Sequence, residues 1–289
     1  MSMRTEGYLE LSNGRVWWRR EGAGDELPIL LLHGGPGAAS YYLEPFAERL
    51  ALHRPVIIFD QLGCGRSDQP DDPKLWTLDR ACQEVDDVRA ALGLEHCHIL
   101  GQSWGGWLAI EYLCRGTTGI KQVVLASTSA SMRQFGEESL RLINALPPVT
   151  CATILELSEA RQYDDPAFVA ASMEFYRRHV CRLDPWPEAM VLTADELDGN
   201  QVYLTMNGPN EFTLVGTLKD WDREADLARI TQPTLITCGR YDEITPTCSE
   251  TILAGIPNGQ MVVFEESAHC AHLEETALYT ATVEEFLAV

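Results

Sequence analysis

The residues with the clearest chemical meaning are the five from Gly101 to Gly105, which read Gly-Gln-Ser-Trp-Gly. They match the pattern G-x-S-x-G and stand where an apolar, strand-like run passes into a helical pattern. In a strand-to-helix turn this sharp, small flanking residues relieve the crowding and let the serine hydroxyl project above the sheet. The pattern therefore predicts that Ser103 is a nucleophile.

A neutral serine is a poor nucleophile and needs a base within hydrogen-bond reach. In hydrolases that carry their serine on such a turn, the chain order is serine, then an acid, then histidine. Asp242 ends the apolar run 234–242, and His269 ends the run 261–269. Because parallel strands present their carboxyl ends at one edge of the sheet, where ligands bind, we predict a triad of Ser103, Asp242 and His269.

Other histidines and aspartates compete for the roles of base and acid. His272 is expected on the helix that follows the proposed base, while His96 and His98 flank the start of a strand at the opposite edge of the sheet. Asp222 and Asp226 are expected on a solvated helix. The base must reach the nucleophile and be held by its acidic partner. Because Asp242 and His269 both follow strand ends, they are favoured over these alternatives.

A glycine-rich loop, 33–37, follows another buried strand and reads His-Gly-Gly-Pro-Gly. Such a turn brings backbone N–H groups close to the carbonyl oxygen under attack. We predict an oxyanion hole formed by the N–H of Trp104, just after the nucleophile, and the N–H of Gly35. Preorganised donors of this kind stabilise the transition state by about 3 kcal/mol each.

The surrounding pattern indicates which elements position these residues. The opening stretch reads as a hairpin around Asn13-Gly14, a strong turn signal. Apolar runs then alternate with helical patterns. Continuous rather than alternating apolar strands indicate a sheet buried on both faces, and the strand–helix alternation indicates that the sheet is mostly parallel. We therefore predict the α/β class.

The strand–helix alternation is interrupted once, by a proline-punctuated helical stretch at 130–226. We interpret it as a helical insertion between the two halves of the sheet domain; it either caps a site or is a structural excursion. Its place just before the segments of Asp242 and His269 favours the cap. The predicted division is a core at 1–129, the insertion at 130–226 and the rest of the core at 227–289.

Composition narrows the class of protein. The 289 residues include 43 acidic and 22 basic side chains, a formal net charge of -21. Such a surface repels nucleic acid and anionic membranes; it favours cationic substrates or simply keeps the protein soluble. No apolar run approaches the roughly 20 residues that span a bilayer, and the first residues lack the apolar core of a signal peptide. The expected location is the cytoplasm.

The nine cysteines show no spacing typical of a zinc site. Because the predicted triad chemistry needs no cofactor and no ligand cluster is apparent, we expect neither a metal nor an organic cofactor. Cys270 stands out because it neighbours the proposed base, so it is either a reactive thiol or a packed one.

Six segments together resemble the proline iminopeptidase family of α/β-hydrolases. They are HGGPG (33–37), DQLGCGRSDQP (60–70), GQSWGG (101–106), MNGPNEF (206–212), GRYDEITP (239–246) and SAHCAHLEE (267–275). The resemblance implies an α/β-hydrolase fold, with a mostly parallel central sheet flanked by helices and an inserted helical cap. It also implies the same Ser103–Asp242–His269 triad. The stretch with Asp60, Gln61 and Arg66 is interpreted as architectural, fixing the loop beside the site.

The resemblance further implies that Glu211 and Glu243 bind the free α-amino group of the substrate. An enzyme that removes N-terminal residues must anchor an ammonium group, and two carboxylates can do so by charge-assisted hydrogen bonds. The alternatives are a salt bridge that supports the Asp242 turn, for Glu243, and an exposed cap residue, for Glu211.

The implied activity is a serine aminopeptidase that removes an N-terminal residue, proline foremost, from short peptides through an acyl-enzyme. The alternatives are an amidase acting on amino-acid amides and an esterase or lactonase with the same triad. A non-catalytic small-molecule receptor on this scaffold belongs to another class. Tyr176, Trp186 and Tyr203 are candidates for a proline pocket, and the sequence leaves the oligomeric state open.

Overall fold

A single eight-stranded sheet runs through the molecule in the computed structural model, which describes residues 4–288. The strand order is β1-β2-β4-β3-β5-β6-β7-β8. Strands β3 to β8 pair in parallel, whereas β1 and β2 are antiparallel to their neighbours. The strands are β1 (Arg4–Leu11), β2 (Gly14–Glu21), β3 (Ile29–Leu32), β4 (Val56–Phe59), β5 (Cys97–Gln102), β6 (Ile120–Ala126), β7 (Thr234–Gly239) and β8 (Gly259–Phe264).

The first two strands form the predicted hairpin at one edge of the sheet. Leu11 pairs with Gly14, so the turn consists of Ser12 and Asn13, and Gly14 opens the second strand. Gly14 has a φ of 144°, a backbone conformation that residues other than glycine rarely adopt. The turn therefore lies one residue earlier than the Asn-Gly pair indicates.

Helices cover both faces of the parallel strands, which explains why those strands are apolar on both sides. Along β3, Leu30 and Leu32 pack into one core with helices α2, α3 and α9, while Ile29 and Leu31 pack into a second core with α1 and α11. This alternation follows from the two-residue period of a strand. These helices are α1 (Glu44–Leu50), α2 (Leu78–Ala91), α3 (Trp104–Cys114), α9 (Pro246–Gly255) and α11 (Thr276–Leu287), and the short α10 (Ala271–Glu274) precedes the last.

Five helices occupy the chain between β6 and β7, within the stretch predicted to be an insertion. They are α4 (Met132–Asn144), α5 (Pro148–Glu159), α6 (Pro166–His179), α7 (Glu188–Leu197) and α8 (Gln201–Met206). We call these helices together with the loop after α8, residues 132–212, the α4–α8 segment. It has a small apolar core of its own, which includes Ile154, Phe168 and Phe175. The boundaries at 130 and 226 remain a prediction. Across residues 4–288, no helix has the length and apolar character required to cross a membrane.

Candidate active site

Ser103 lies on the sharp turn between β5 and α3 and has a φ of 56°, unusual for a residue with a side chain. Its N–H donates to the carbonyl of Ala126 on the neighbouring strand at 2.9 Å. A Cβ on Gly101 would overlap the backbone of Gly105, and one on Gly105 would overlap the Leu32 carbonyl. Both glycines are therefore required by close backbone approach, as the sequence pattern indicates.

Asp242 and His269 are brought together by the loops that follow β7 and β8. The Nδ1–H of His269 donates to Oδ1 of Asp242 at 2.8 Å, and the same oxygen accepts the N–H of Ile244 at 2.9 Å. Both side chains are buried. The strands end at Gly239 and Phe264, so the apolar runs predict the edge of the sheet correctly but overstate the strand lengths.

The charges around His269 favour its protonated form. Burial lowers the pKa of the imidazole, but the charge and hydrogen bond of Asp242, together with the carboxylates of Glu243 and Glu211, outweigh burial and raise the pKa to about 9. Because a protonated imidazole cannot accept a proton, this environment bears directly on whether His269 can act as a base.

The glycine-rich loop is linked through Tyr42 to Gln102, the residue before Ser103. The N–H of Gly34 donates to the hydroxyl of Tyr42 at 2.8 Å, and that hydroxyl donates a short hydrogen bond to Gln102. By contrast, neither the N–H of Gly35 nor that of Trp104 makes a hydrogen bond within residues 4–288. These are the two donors that the sequence proposes for an oxyanion.

His33 and Gln61 fix the loop beside the site. The Nε2 of His33 accepts the N–H of Gln61 at 2.9 Å, so Nδ1 carries the hydrogen and donates to the carbonyl of Gly34 at 2.9 Å. Gln61 donates to the carbonyl of His33 at 3.1 Å and accepts the indole N–H of Trp104 at 2.9 Å. Burial lowers the pKa of His33, which keeps the ring neutral in this structural role.

Asp60 and Arg66 hold the next part of the same stretch. The buried carboxylate of Asp60 accepts hydrogen bonds from the backbone N–H and hydroxyl of Ser40, and pairs with Arg66 at 2.7 Å. Arg66 also pairs with Glu44 at 2.8 Å. These contacts are those of an architectural element, as interpreted from the sequence.

Glu243 faces the other ring nitrogen of His269, with 3.8 Å between Oε1 and Nε2. The Glu243 side chain is buried, and its second oxygen has no hydrogen-bond partner in the described chain. Burial, and then the charge of Glu211, raise the pKa of Glu243. Glu211 itself accepts a hydrogen bond from the hydroxyl of Tyr203 at 2.8 Å. Within residues 4–288, no lysine or arginine pairs with either carboxylate, and the cationic partner of Glu243 is the protonated ring of His269.

The three aromatic candidates line one cavity of about 490 Å³ in the α4–α8 segment, with Glu211 in its wall. Tyr176, Trp186 and Tyr203 share this lining with Met190 and Leu197. The lining is mostly aromatic and aliphatic, and its charged members are Glu211, Arg161, Asp164 and Asp198.

The competing acids and histidines are engaged elsewhere. His272 is buried in α10 and packs edge-on against Tyr42; burial and the nearby His269 lower its pKa to about 3. His98 lies near the amino end of β5, at the opposite edge from the nucleophile, and His96 precedes that strand. Asp222 accepts a hydrogen bond from Ser131 at 3.0 Å, and Asp226 pairs with Arg223 at 2.9 Å.

One contributor to the site has no signal in the sequence. The carbonyl of His179, at the end of α6, accepts the N–H of Glu243 at 3.1 Å and the N–H of His269 at 3.2 Å. The ring of His179 also bonds to the carbonyl of Tyr241 at 2.8 Å. The α4–α8 segment thus ties together the two loops that bear Asp242 and His269. A backbone carbonyl leaves no mark on residue type, so sequence reasoning missed this residue.

Cys270 is a packed thiol rather than a reactive one. It is 1% exposed, its sulfur contacts that of Met190, and burial raises its pKa well above the ordinary value. Because the thiolate is the reactive form, we expect iodoacetamide to leave Cys270 unmodified in the folded protein and the activity intact. Peptide mass mapping would check this, with partly exposed Cys151 as the internal control. Alkylation of Cys270 before that of Cys151 would contradict the assignment.

The chain is similar to known proteins in family, in sequence and in structure. Residues 28–276 match the alpha/beta hydrolase fold family. The proline iminopeptidase of Heyndrickxia coagulans is 39% identical over 99% of each chain. Among solved structures, the proline iminopeptidase of Mycobacterium smegmatis is 36% identical with a TM-score of 0.92, and VinJ is 36% identical with a TM-score of 0.95. Both alignments cover 98% of each chain.

Proposed function

This chain belongs to the proline iminopeptidase family of α/β-hydrolases, and from that premise we propose that it removes an N-terminal residue, proline foremost, from short peptides. The reaction proceeds through an acyl-enzyme on Ser103. The observation that carries the proposal is the pair of carboxylates, Glu211 and Glu243, beside the base and without a lysine or arginine partner in residues 4–288. A substrate ammonium group gives both carboxylates a cationic partner.

Acylation begins when His269 takes the proton of the Ser103 hydroxyl through Nε2. Asp242 holds the ring in the required tautomer through the 2.8 Å hydrogen bond at Nδ1 and stabilises the imidazolium that forms. The serine oxygen attacks the carbonyl carbon of the N-terminal residue. The negative charge on the carbonyl oxygen is met by the N–H groups of Gly35 and Trp104.

Collapse of this intermediate expels the rest of the peptide as an amine. His269 donates its proton to that leaving nitrogen, and the N-terminal residue remains as an ester on Ser103. Water, deprotonated by the same imidazole, then hydrolyses the ester and releases the free amino acid. No step draws on a group beyond these side chains, the two N–H donors and water.

The α4–α8 segment supplies residues that are proposed to bind the substrate. We propose that it caps the triad and that the cavity lined by Tyr176, Trp186 and Tyr203 receives the apolar part of the substrate. Glu211, in the wall of that cavity, and Glu243, beside His269, then bind the ammonium from two sides. This arrangement favours a substrate with a free amine directly next to the scissile bond.

We expect Glu211→Gln to raise KM for proline p-nitroanilide by about 10- to 100-fold, since a hydrogen bond to a charged group contributes about 1.5–3 kcal/mol. KM for p-nitrophenyl acetate, which lacks the amine, should stay unchanged. Steady-state kinetics on both substrates measures the difference. Glu250→Gln removes one negative charge from an exposed position on α9 and is the matched control. Equal effects on both substrates would reject the amine anchor.

The activity itself is tested on a panel of p-nitroanilides and amides of proline, alanine and phenylalanine, with N-acetylated versions. Preferential cleavage of the free-amine proline anilide, lost on acetylation, is the expected result. Preference for amino-acid amides would reassign the enzyme as an amidase. Hydrolysis of p-nitrophenyl acetate alone would retain the serine nucleophile but reject the peptidase.

A further inference from the structure

Glu243 faces the ring nitrogen that must do the chemistry. In His269, Nδ1 is committed to Asp242, so only Nε2 can accept the proton of Ser103. Oε1 of Glu243 lies 3.8 Å from that same nitrogen. A carboxylate at this distance stabilises a proton on Nε2, and a protonated Nε2 cannot serve as a base. An anchor for the substrate amine therefore stands where it opposes catalysis while the site is empty.

The groups around His269 supply negative charge or none. Asp242 and Glu243 approach the ring from the loop after β7, and Glu211 adds its charge from the α4–α8 segment. His272, on α10, is held neutral by burial and by its neighbour. Three further titratable groups act on these residues, namely His179, Cys270 and Glu274. Burial lowers the pKa of His179 and raises those of Cys270 and Glu274, so at each of the three groups burial acts in favour of the uncharged form.

These surroundings raise the pKa of His269 to about 9 even though burial works in the opposite direction. Glu243 competes for the same proton, since burial and the charge of Glu211 raise its pKa as well. Asp242 favours a proton on His269 through both its charge and its hydrogen bond, whereas it acts on Glu243 through its charge alone, so the proton resides on His269. Because the pKa of His269 lies above 7, most molecules carry a protonated His269 at neutral pH and lack the neutral base.

We propose that Glu243 holds His269 in its charged, idle form in the empty site, and that the substrate's ammonium group replaces the imidazolium as the partner of that carboxylate and so releases the base. The inference rests on the proposed function and assigns to Glu243 a role in activation besides binding. The proton balance is simple. The ammonium enters with its positive charge, the proton on Nε2 leaves to solvent, and the neutral ring then accepts the proton of Ser103.

This coupling makes the free amine a condition for catalysis as well as for binding. A substrate without an ammonium group meets a protonated His269 at neutral pH, and so loses kcat in addition to affinity. Selection against N-blocked peptides is therefore stronger than the loss of two hydrogen bonds alone would make it. Glu243 thereby becomes a specificity-determining residue that acts through the base.

The test is the pH dependence of Ser103 sulfonylation by phenylmethylsulfonyl fluoride, a probe that carries no amine. Intact-mass spectrometry follows the rate in the wild type, Glu243→Gln, Glu243→Asp and the exposed control Glu250→Gln. The wild-type rate should rise with a midpoint near pH 9. In Glu243→Gln the midpoint should fall by about one unit or more, so that sulfonylation at pH 7 is about tenfold faster than in the wild type. Glu243→Asp keeps the carboxylate and should keep a midpoint above that of Glu243→Gln.

The outcomes separate this inference from the proposed function. Coinciding profiles for the wild type and Glu243→Gln would overturn the inference and leave the triad intact. A wild type that is never sulfonylated on Ser103 would reject the nucleophile, and the inference with it. Slower sulfonylation of a folded Glu243→Gln across the whole pH range would also overturn the inference.

A second measurement leaves Glu243 in place. In the Ser103→Ala protein labelled with ¹⁵N-histidine, NMR reports the protonation of His269 directly. We expect its titration midpoint to fall by one unit or more when prolinamide saturates the site, on the scale of a lost ion pair. An unchanged midpoint at saturation would overturn the release step. If prolinamide changes no histidine chemical shift at any concentration, it does not bind at this site. That result would reject amine recognition, and thus the proposed function on which the inference rests.

Discussion

Ser103→Ala lowers kcat for proline p-nitroanilide by about 10⁵- to 10⁶-fold, the scale of effect seen when a triad nucleophile is removed from a serine hydrolase. The reason is that no other group can form the acyl-enzyme, while the N–H donors of Gly35 and Trp104 retain only part of the transition-state stabilisation. Since Ser103 makes no side-chain hydrogen bond in the described chain and alanine is smaller, the fold should be retained. Steady-state rates and circular dichroism on both proteins measure the two parts of this prediction.

Ser139→Ala is the matched control, because Ser139 is buried and its hydroxyl likewise has no hydrogen-bond partner in the part of the chain described. It should retain full kcat. Substantial turnover by folded Ser103→Ala would falsify the assignment of the nucleophile. A wild type without turnover, whose ligand binding survives the Ser103→Ala change, would favour the receptor alternative over the enzyme.

Asp242→Asn lowers kcat by about 10⁴-fold, as the loss of the orienting carboxylate does in a serine–histidine–aspartate triad. Oδ1 of Asp242 accepts hydrogen bonds from both His269 Nδ1 and the N–H of Ile244. If the NH₂ of asparagine takes the place of Oδ1, it cannot accept the Nδ1–H, and the imidazole is no longer held in the reactive tautomer. If the amide oxygen takes that place, both hydrogen bonds remain, but the charge that stabilises the imidazolium is lost. Removing the charge also lowers the pKa of His269, because Asp242 is one of the groups that raise it.

The pH profile distinguishes this effect from simple unfolding. In Asp242→Asn the residual rate should be low throughout, with its acidic limb displaced to lower pH than in the wild type. Asp222→Asn and Asp226→Asn are the controls, since both carboxylates bind residues outside the triad. The assignment fails if one of these controls loses activity to the extent expected of Asp242→Asn while Asp242→Asn itself remains active.

The chain's local pattern determined the architecture and the sharp turn that carries Ser103. Continuous apolar strands alternating with helices specify a sheet covered on both faces, because each strand must bury both of its sides. The glycines around Ser103 specify the sharp turn, since a Cβ at Gly101 or Gly105 would overlap neighbouring backbone. These are short-range requirements that residue type records directly. The apolar pattern was less reliable for the lengths of the strands, because Asp242 and His269 lie in loops beyond the ends of β7 and β8.

Only the tertiary structure decided how the charged groups act on one another. The sequence names Glu243 through a resemblance, but the 3.8 Å approach of its carboxylate to Nε2 of His269 depends on two loops that are distant in the chain. The same loops are joined by the carbonyl of His179, an atom that every residue possesses. Electrostatic energy and backbone hydrogen bonding depend on distance, burial and direction. Residue order sets none of these until the chain has folded.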